Sequence, residues 1–303
     1  MNEHELIEIE DGLRLVYQEP KEYTRYYSIY HGQKYADSYF RRSPETLVEV
    51  ATIFDCGYFI MEGEMIIGGV LLKPNFMSDL FVVPPYSDYE RLAHKLLNYV
   101  KKISVTEENI IVREVVEEQV AAYEQLGCKI QEVNVWMIRP TEQMMAILPE
   151  GYSSRAVWSE DADDIACLLM KAYKANPAYK QIGTKDDYLL HVNEFIDQHK
   201  HHKIMDECSR VVIDTHSNNI VGVCLHMEFE EYPLIMSLVV DPDHQKRGLG
   251  RYLLTHSIHS SSERYPATRL SVIKDNAAIK LYEDLGFLRG RSIIDMYLAC
   301  ERE

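Results

Sequence analysis

The fold is decided by the basic stretch Gln245-Lys246-Arg247-Gly248-Leu249-Gly250-Arg251. It follows an apolar, β-branched run, Ser237-Leu238-Val239-Val240-Asp241-Pro242, and it leads into leucines at helical spacing. A helix start leaves amide groups without intrahelical partners, and the helix dipole adds partial positive charge there. The two glycines let the backbone approach a ligand closely, and the three basic side chains add full charges. The stretch therefore predicts a site for a pyrophosphate.

Two other kinds of phosphate loop do not fit the spacing. A Walker loop needs Gly-Lys followed by Ser or Thr, and a dinucleotide fingerprint needs a third glycine where Leu253 stands. What is left is Q-x-x-G-x-G after a strand that ends in V-D-P. By itself this pattern also fits a plain glycine turn at the start of an ordinary helix.

A second stretch follows downstream, Asn276-Ala277-Ala278-Ile279-Lys280-Leu281-Tyr282-Glu283-Asp284-Leu285-Gly286-Phe287. Its apolar residues have helical spacing, Asn276 can cap the start, and Gly286 is suited to the C-terminal cap. The alternating run Leu270-Ser271-Val272-Ile273 before it predicts a strand.

In this order, the two stretches resemble the two coenzyme A motifs of the GNAT superfamily of N-acetyltransferases. The resemblance implies an α/β fold (α+β, with a mixed, mostly antiparallel sheet flanked by helices). It implies acetyl-CoA as a co-substrate, a primary amine as acceptor, and direct attack of the amine on the thioester. The motifs leave the identity of the amine open.

The composition of the 303 residues is that of an ordinary globular protein, with 46% hydrophobic and 26% charged residues. The net charge of −16 disfavours nucleic acid as a partner. Without an apolar leader or a membrane-length run, we expect no membrane partner and a cytoplasmic location. The six cysteines are widely spaced, and the histidines around His199 (His191, His201, His202) are typical of a solvated helix end, so we expect no metal.

The chain contains an internal repeat. At an offset of 157, the run beginning at Val82 aligns with the run beginning at Val239, and at 159 Tyr123 aligns with Tyr282. We therefore predict two tandem GNAT-like domains. The predicted ranges are 1–140 for a degenerate domain without a coenzyme A loop, 141–151 for a linker with a short helical stretch, and 152–303 for the N-acetyltransferase domain.

The two copies differ in their loops. Arg91 and Ala93 replace the two glycines, and Asp88, Tyr89 and Glu90 replace Gln245, Lys246 and Arg247. Acidic side chains repel a pyrophosphate, and without the glycines the loop geometry is lost. The first copy is therefore expected to have kept the scaffold and lost the cofactor, with a structural role.

The resemblance also assigns roles to residues. The strand would pair through its main chain with the pantetheine arm, one of its amides would polarise the acetyl carbonyl, the loop would take the pyrophosphate, and Asn276 would bind the arm. The predicted cofactor-binding residues are Leu238, Val239, Val240, Gln245, Lys246, Arg247, Gly248, Leu249, Gly250, Arg251 and Asn276.

Tyr282 is the predicted general acid, since its hydroxyl can reach the departing thiolate from the last turn of its helix. The alternative is a tyrosine that only packs, as we expect for Tyr123. The general base is less determined, because Ile235, Met236, Ser237 and Leu238 stand where many relatives place a glutamate. Glu228 is the weakly supported candidate that we name, and the alternatives are Glu230, Glu231, His226 or an ordered water.

Acceptor specificity is expected to lie between Lys171 and Phe195, where Tyr173, Asn176, Pro177 and Tyr179 indicate an irregular aromatic loop. Such a loop can stack on a cation or cover a core. The alternative to an enzyme is a catalytically inactive acyl-CoA-binding or regulatory module, which the missing strand carboxylate favours. The protein is expected to be a monomer or a homodimer.

Overall fold

The structure is a computed structural model that describes residues 6–31, 44–105, 107–199, 203–229 and 232–299. The strands, in chain order, are β1 Leu6–Glu8, β2 Leu13–Tyr17, β3 Gly57–Glu62, β4 Met65–Lys73, β5 Phe76–Val82, β6 Ile110–Val116, β7 Lys129–Pro140, β8 Tyr152–Arg155, β9 Arg210–Asp214, β10 Ile220–Phe229, β11 Tyr232–Val240, β12 Ala267–Ile273 and β13 Leu288–Leu298. The helices are α1 Pro20–Tyr30, α2 Pro44–Phe54, α3 Tyr89–Ile103, α4 Val120–Gln125, α5 Ala162–Ala175, α6 Lys185–His199, α7 Lys203–Cys208, α8 Leu249–Ser261 and α9 Ile279–Asp284.

The chain forms two compact units. Unit 1 comprises Met1–Asn134 and Arg291–Glu303, and unit 2 comprises Val135–Gly290. The predicted ranges, 1–140 and 152–303, follow the sequence repeats. The units differ from them, because the end of each predicted range belongs to the other unit. Residues 135–140 of β7 belong to unit 2, and residues 291–298 of β13 belong to unit 1.

In unit 1 the sheet has the order β1-β2-β3-β4-β5-β6-β13. Strands β5 and β6 are parallel, and the neighbouring pairs β1–β2, β2–β3, β3–β4, β4–β5 and β6–β13 are antiparallel. Helix α3 buries Leu92, Leu96 and Val100 on one stripe against the sheet. A second, aromatic core contains Tyr23, Phe59 and Phe81.

In unit 2 the order is β7-β12-β11-β10-β9-β8. Strands β11 and β12 are parallel, and β8 to β11 pair antiparallel. Helix α8 buries Leu249, Leu253 and Ile258 in one core, while α5 and α6 cover a second core that includes Ile165 and Phe195. The predicted fold class, a mixed and mostly antiparallel sheet flanked by helices in each of two tandem copies, is confirmed.

The internal repeat of the sequence is also present in the registers of the parallel strands. The parallel pairs are Met77–Val112 and Ser78–Arg113 in unit 1, and Leu234–Arg269 and Ile235–Leu270 in unit 2, so that every number differs by 157. The first strand of each parallel pair, β5 in unit 1 and β11 in unit 2, also carries a bulge. Leu225 pairs with Ser237 and His226 with Ile235, which leaves Met236 as the extra residue of β11.

In the connection 141–151, residues 141–149 form no helix and residues 150–151 form a turn, so the predicted short helical stretch is wrong. Met144, Ala146 and Leu148 pack against the core of unit 2, whereas Met145 and Ile147 between them are 84% and 73% exposed. A period of two in burial requires an extended backbone, which tertiary packing imposes on a segment of good helix formers.

Of the six cysteines, Cys56, Cys128, Cys208 and Cys224 are buried free thiols, and Cys167 is partly buried. Cys300 lies outside the described residues. Among the helices of the described part, we find none with the length and apolar character that a membrane span requires.

Candidate active site

The predicted loop lies at the start of α8. Lys246 and Gly248 both have left-handed backbone conformations, with φ of 60° and 89°, and α8 begins at Leu249. The first bond of the helix runs from the Tyr252 amide to the Gly248 carbonyl, 2.9 Å. The amides of the first turn, residues 249–251, therefore have no intrahelical acceptor and are available to an anion.

The two glycines of the loop have different requirements. Gly248 needs its left-handed conformation, which costs other residues about 1–2 kcal/mol. A Cβ on Gly250 would lie 3.2 Å from Leu281 Cδ2, so this glycine lets α8 and α9 approach each other. Gly250 thus has a packing reason as well as the predicted ligand-approach reason.

The loop side chains do not all face the same way. Gln245, Lys246 and Arg251 line a cleft of about 600 Å³. Arg247 does not line it. Its guanidinium donates to Tyr152 Oη at 3.2 Å and to the Asp243 carbonyl at 3.0 Å. The predicted pyrophosphate role of the Arg247 side chain stays a prediction, and its contacts are those of a residue that fixes the loop.

The turn before the loop is held by Lys171 of α5. The Nζ atom of Lys171 lies 2.8 and 2.9 Å from the carboxylate oxygens of Asp241 and 2.8 Å from Asp243 Oδ2. The hydrogen bond to Asp241, then that to Asp243, raises the pKa of Lys171, and Lys171 lowers the pKa of Asp243. The sequence did not reveal this contact, since the residues are 70 positions apart.

The cleft opens where the parallel strands of unit 2 diverge. Their registered pairs are Leu234–Arg269 and Ile235–Leu270, and beyond this point residues 236–240 of β11 and 270–272 of β12 line the cleft. The bulge at Met236 increases the local twist of β11 and so turns it away from β12. The predicted strand residues Leu238, Val239 and Val240 therefore face an opening in the sheet.

Asn276 is at the opposite wall of the cleft. Its Oδ1 accepts from the Ala278 amide at 2.9 Å, which is the predicted cap, and from Asn176 Nδ2 at 3.3 Å. The side chain is buried, with 8% exposed. Asn276 thus joins α9 to the loop after α5, and its role toward a pantetheine arm stays a prediction.

Tyr282 lies in α9, lines the cleft and is buried. Burial raises the pKa of its hydroxyl well above the usual value, with smaller contributions from Tyr179, Cys224 and Tyr173. Its ring also packs 5.9 Å from that of Phe287. Tyr282 is therefore protonated at neutral pH, as a proton donor must be, while it also packs in the core.

The predicted aromatic loop between two helices is present between α5 and α6. The rings of Tyr173 and Tyr179 lie 4.4 Å apart, and both residues line the cleft together with Asn176. Tyr173 Oη lies 3.4 Å from Ser237 Oγ, directly after the bulge of β11. This hydroxyl pair could not be found by motif, because it depends on how far a helix and a strand approach each other.

The candidate bases lie elsewhere. The Glu228 carboxylate accepts a hydrogen bond from Tyr265 Oη and is not among the residues that line the cleft. His226 is fully buried and hydrogen-bonded to Ser257. Glu230 and Glu231 lie outside the described residues. Glu228 therefore stays a prediction, without a contact to the cleft that supports it.

The histidine group was expected to be a solvated helix end. His191 is exposed on α6, whereas His201 and His202 lie outside the described residues. In the described ranges, no three His, Cys, Asp or Glu side chains are grouped as metal ligands. The absence of a metal from the reaction stays a prediction.

The first copy of the loop has a different structure. Helix α3 begins at Tyr89, and the N-terminal cap before it, Asp88, accepts a hydrogen bond from the Arg91 amide at 2.9 Å. The Arg91 guanidinium lies 2.9 Å from Glu62 Oε1. Tyr123 Oη lies 3.0 Å from Tyr89 Oη. Asp88 and Arg91, which align with Gln245 and Gly248, are thus bonded to each other, and Tyr89 and Arg91 also contact residues outside the aligned loop.

Comparison with known proteins agrees with this geometry. A family model described as Acetyltransferase (GNAT) domain matches residues 174–293. A solved GCN5-related N-acetyltransferase from Sphaerobacter thermophilus has 18% identity and a TM-score of 0.70, with 96% of each chain covered. A tandem GNAT protein from the clavulanic acid biosynthesis pathway has 13% identity and a TM-score of 0.54, over 82% of this chain and 83% of that one. These two likenesses show the fold.

Among curated proteins, the [ribosomal protein bS18]-alanine N-acetyltransferase of Escherichia coli is 51% identical over 55 residues. The match covers 18% of this chain and 37% of that protein, so the chain spans little more than a third of the relative's length. A UPF0039 protein of Schizosaccharomyces pombe is 28% identical over 120 residues, which are 37% of this chain and 78% of that protein.

Proposed function

Because residues 174–293 match a family model described as Acetyltransferase (GNAT) domain, we propose that the protein is an acetyl-CoA-dependent N-acetyltransferase whose active site is the cleft of unit 2. The observation that carries the proposal is the loop at the start of α8, where first-turn amides without intrahelical acceptors lie beside diverging strands. An anion at the loop would accept hydrogen bonds from the first-turn amides of α8, and an extended arm along β11 would pair with the main-chain groups of that strand.

The fit of coenzyme A can be followed along the cleft. The first-turn amides of α8, with Lys246 and Arg251, bind the pyrophosphate. The main chain of residues 238–240 pairs with the amides of the pantetheine arm, and Asn276 lies across from it. In this order the thioester lies beside Ser237 and Tyr282, which both line the cleft.

The chain's own groups then carry the transfer. A main-chain amide of β11 donates to the acetyl oxygen and stabilises the negative charge that develops there, worth about 3 kcal/mol at comparable sites. Tyr282 donates its proton to the departing sulfur. Burial raises the pKa of this phenol and keeps it protonated. The cleft also removes water from the departing sulfur, and desolvation of a thiolate raises the pKa of the thiol in the same way.

Unit 1 is proposed to have no coenzyme A site. The Asp88 carboxylate already accepts a hydrogen bond from an amide of the first turn of α3, and Tyr89 stands at the position that aligns with Lys246. Its role in this proposal is structural. The sequence also permits an inactive acyl-CoA-binding module, and the bonded position of Glu228 outside the cleft is the observation in favour of it.

The test is thiol release from acetyl-CoA against a panel of primary amines, combined with calorimetry. We expect acetyl-CoA and CoA to bind with one site per chain, ATP to bind far more weakly, and at least one amine to release thiol. Acetyl-CoA binding without turnover on any amine would favour the inactive module. Equal binding of ATP would contradict the coenzyme A assignment.

A further inference from the structure

We propose that the acceptor is a weakly basic primary amine that reacts in its own neutral form, held by the Ser237–Tyr173 hydroxyl pair instead of being deprotonated by a protein carboxylate. The inference rests on the proposed function and adds to it the chemical class of the acceptor.

The lining of the cleft contains no aspartate or glutamate among the described residues. Its fully charged members are Lys246 and Arg251 at the loop, and the wall toward β11 is made of apolar groups, amides and hydroxyls. Positive charges at the loop and a wall without carboxylates disfavour an ammonium group relative to a neutral amine. The cleft thus selects the species that can attack a thioester.

The bulge of β11 places hydroxyls where a carboxylate would otherwise be expected. Met236 is the extra residue, and Ser237 Oγ follows it at 3.4 Å from Tyr173 Oη. Ser237 is buried and Tyr173 is partly buried, and the desolvation of the Tyr173 hydroxyl raises its pKa. Such hydroxyls accept a hydrogen bond from an amine N–H and orient it, but near neutral pH they do not take up its proton.

Three carboxylates near the cleft, those of Asp241, Asp243 and Glu228, are already engaged. Asp241 and Asp243 are bound by Lys171, and Glu228 is bound by Tyr265. His244 lines the cleft at the loop end, where its Nδ1 lies 3.0 Å from Tyr152 Oη. On the walls from α5, the following loop and α9, the titratable groups are the hydroxyls of Tyr173, Tyr179 and Tyr282.

The reaction balances without a protein base when the amine enters neutral. The nitrogen forms a bond to the acetyl carbon as the carbon–sulfur bond breaks, and one N–H proton is lost while the sulfur gains one. Tyr282 gives the proton to the sulfur, and the proton lost by the nitrogen restores the phenol, directly or through water. For an ammonium acceptor, a further proton would have to be removed first.

Basicity then becomes a specificity determinant. At pH 7 about one tenth of α-amino groups with pKa near 8 are neutral, against roughly one in 2,500 lysine side chains with pKa near 10.4. A more basic amine is the better nucleophile, which offsets part of this difference. We expect the α-amine of a peptide or amino-acid derivative to be preferred over a lysine side chain by about a hundredfold.

The experiment measures kcat/KM against pH for every amine that turns over in the panel. Two matched peptides are included, one with a free α-amine and no lysine, and one N-acetylated with a single lysine. We expect the midpoint of the rising limb to move with the pKa of each acceptor. A midpoint that stays at one pH for acceptors of different pKa would reveal a protein base, for example His244, and would overturn the inference.

Two substitutions complete the test. Ser237→Ala is expected to raise the KM for the amine about tenfold with unchanged acetyl-CoA binding, and Ser237→Thr is expected to restore it. If Glu228→Gln abolishes the rising limb, Glu228 is the base and the inference is wrong. Absence of turnover on every amine would instead contradict the proposed function, so that the two failures are distinguishable.

Discussion

Helices α3 and α8 are at the same place in the two repeats, but they begin at different residues. Tyr89, the first residue of α3, aligns with Lys246, three positions before Leu249, the first residue of α8. Residues 246–248, which form the loop before α8 in unit 2, therefore align with the first helical turn of α3 in unit 1. The difference shows that the loop exists only where two residues adopt left-handed backbone conformations.

The two helix starts also differ in what satisfies their amides. In α3 the Asp88 carboxylate accepts from the Arg91 amide. In α8 the N-terminal cap is Gly248, which has no side chain, and the aligned Gln245 donates to the Val240 carbonyl instead. A helix N-terminus attracts an anion in both units, and the proposal is that unit 1 supplies its own whereas unit 2 takes one from a ligand.

The largest expected effect is a difference in turnover between substitutions of the two aligned tyrosines, Tyr282 and Tyr123. Tyr282→Phe is expected to lower kcat by about a hundredfold to a thousandfold, because it removes the proton donor to the sulfur. Affinity for acetyl-CoA, measured by calorimetry, should stay within a few fold. The control is Tyr123→Phe, which removes the hydroxyl that lies 3.0 Å from Tyr89 Oη and should leave kcat unchanged. Equal turnover in both variants would assign Tyr282 to packing.

The next largest effect is expected from a substitution that gives the start of α8 the acidic cap found at the start of α3. Gly248→Asp provides a carboxylate at the N-terminal cap, and we expect affinity for acetyl-CoA to fall about a hundredfold because this anion competes with the pyrophosphate. Gly248→Asn is the matched control, with the same shape and backbone strain but no charge, and should lose about tenfold. Calorimetry measures both. Similar losses would show that geometry, and not charge, distinguishes the two starts.

A smaller effect concerns pH. His256 of α8, at the position of Tyr99 in α3, has its pKa lowered to about 4 by burial and, less strongly, by Arg210 and His259. The folded histidine therefore stays neutral while the unfolded one takes up a proton near 6.5. Stability that is present above pH 6.5 is lost as the pH falls toward 4, by roughly 2 kcal/mol.

Hydrogen exchange in unit 2 between these pH values measures this loss. His256→Gln should flatten the dependence, and His94→Gln, an exposed residue of α3, should leave it unchanged. A dependence that is unchanged in His256→Gln would attribute the acid sensitivity to other groups.

The sequence predicted those parts of the molecule in which local chemistry decides the structure. The glycine loop, the Asn276 cap and the left-handed Gly286 follow from backbone requirements that a few adjacent residues determine. The aromatic loop after α5 was also predicted, since Pro177 and its neighbours interrupt two helical patterns.

The parts that the sequence did not predict depend on distant contacts. The segment Met144–Leu148 has residues suited to a helix, and the core of unit 2 requires it to be extended. The Tyr173–Ser237 pair and the Lys171 contacts join residues that are 64 to 72 positions apart. The early start of α3 follows from a side-chain cap by Asp88, which the alignment of the repeats had matched with a loop residue.

The exchange of β7 and β13 has a consequence for the order in which the chain can be completed during synthesis. Unit 2 is one continuous piece, 135–290, and all of it is available once residue 290 has been made. Unit 1 begins with the earliest residues but still needs 291–298 for its last strand. The half of the molecule that is synthesised first is therefore the half that is finished last, and a gene cut between the two repeats would leave both products without a strand.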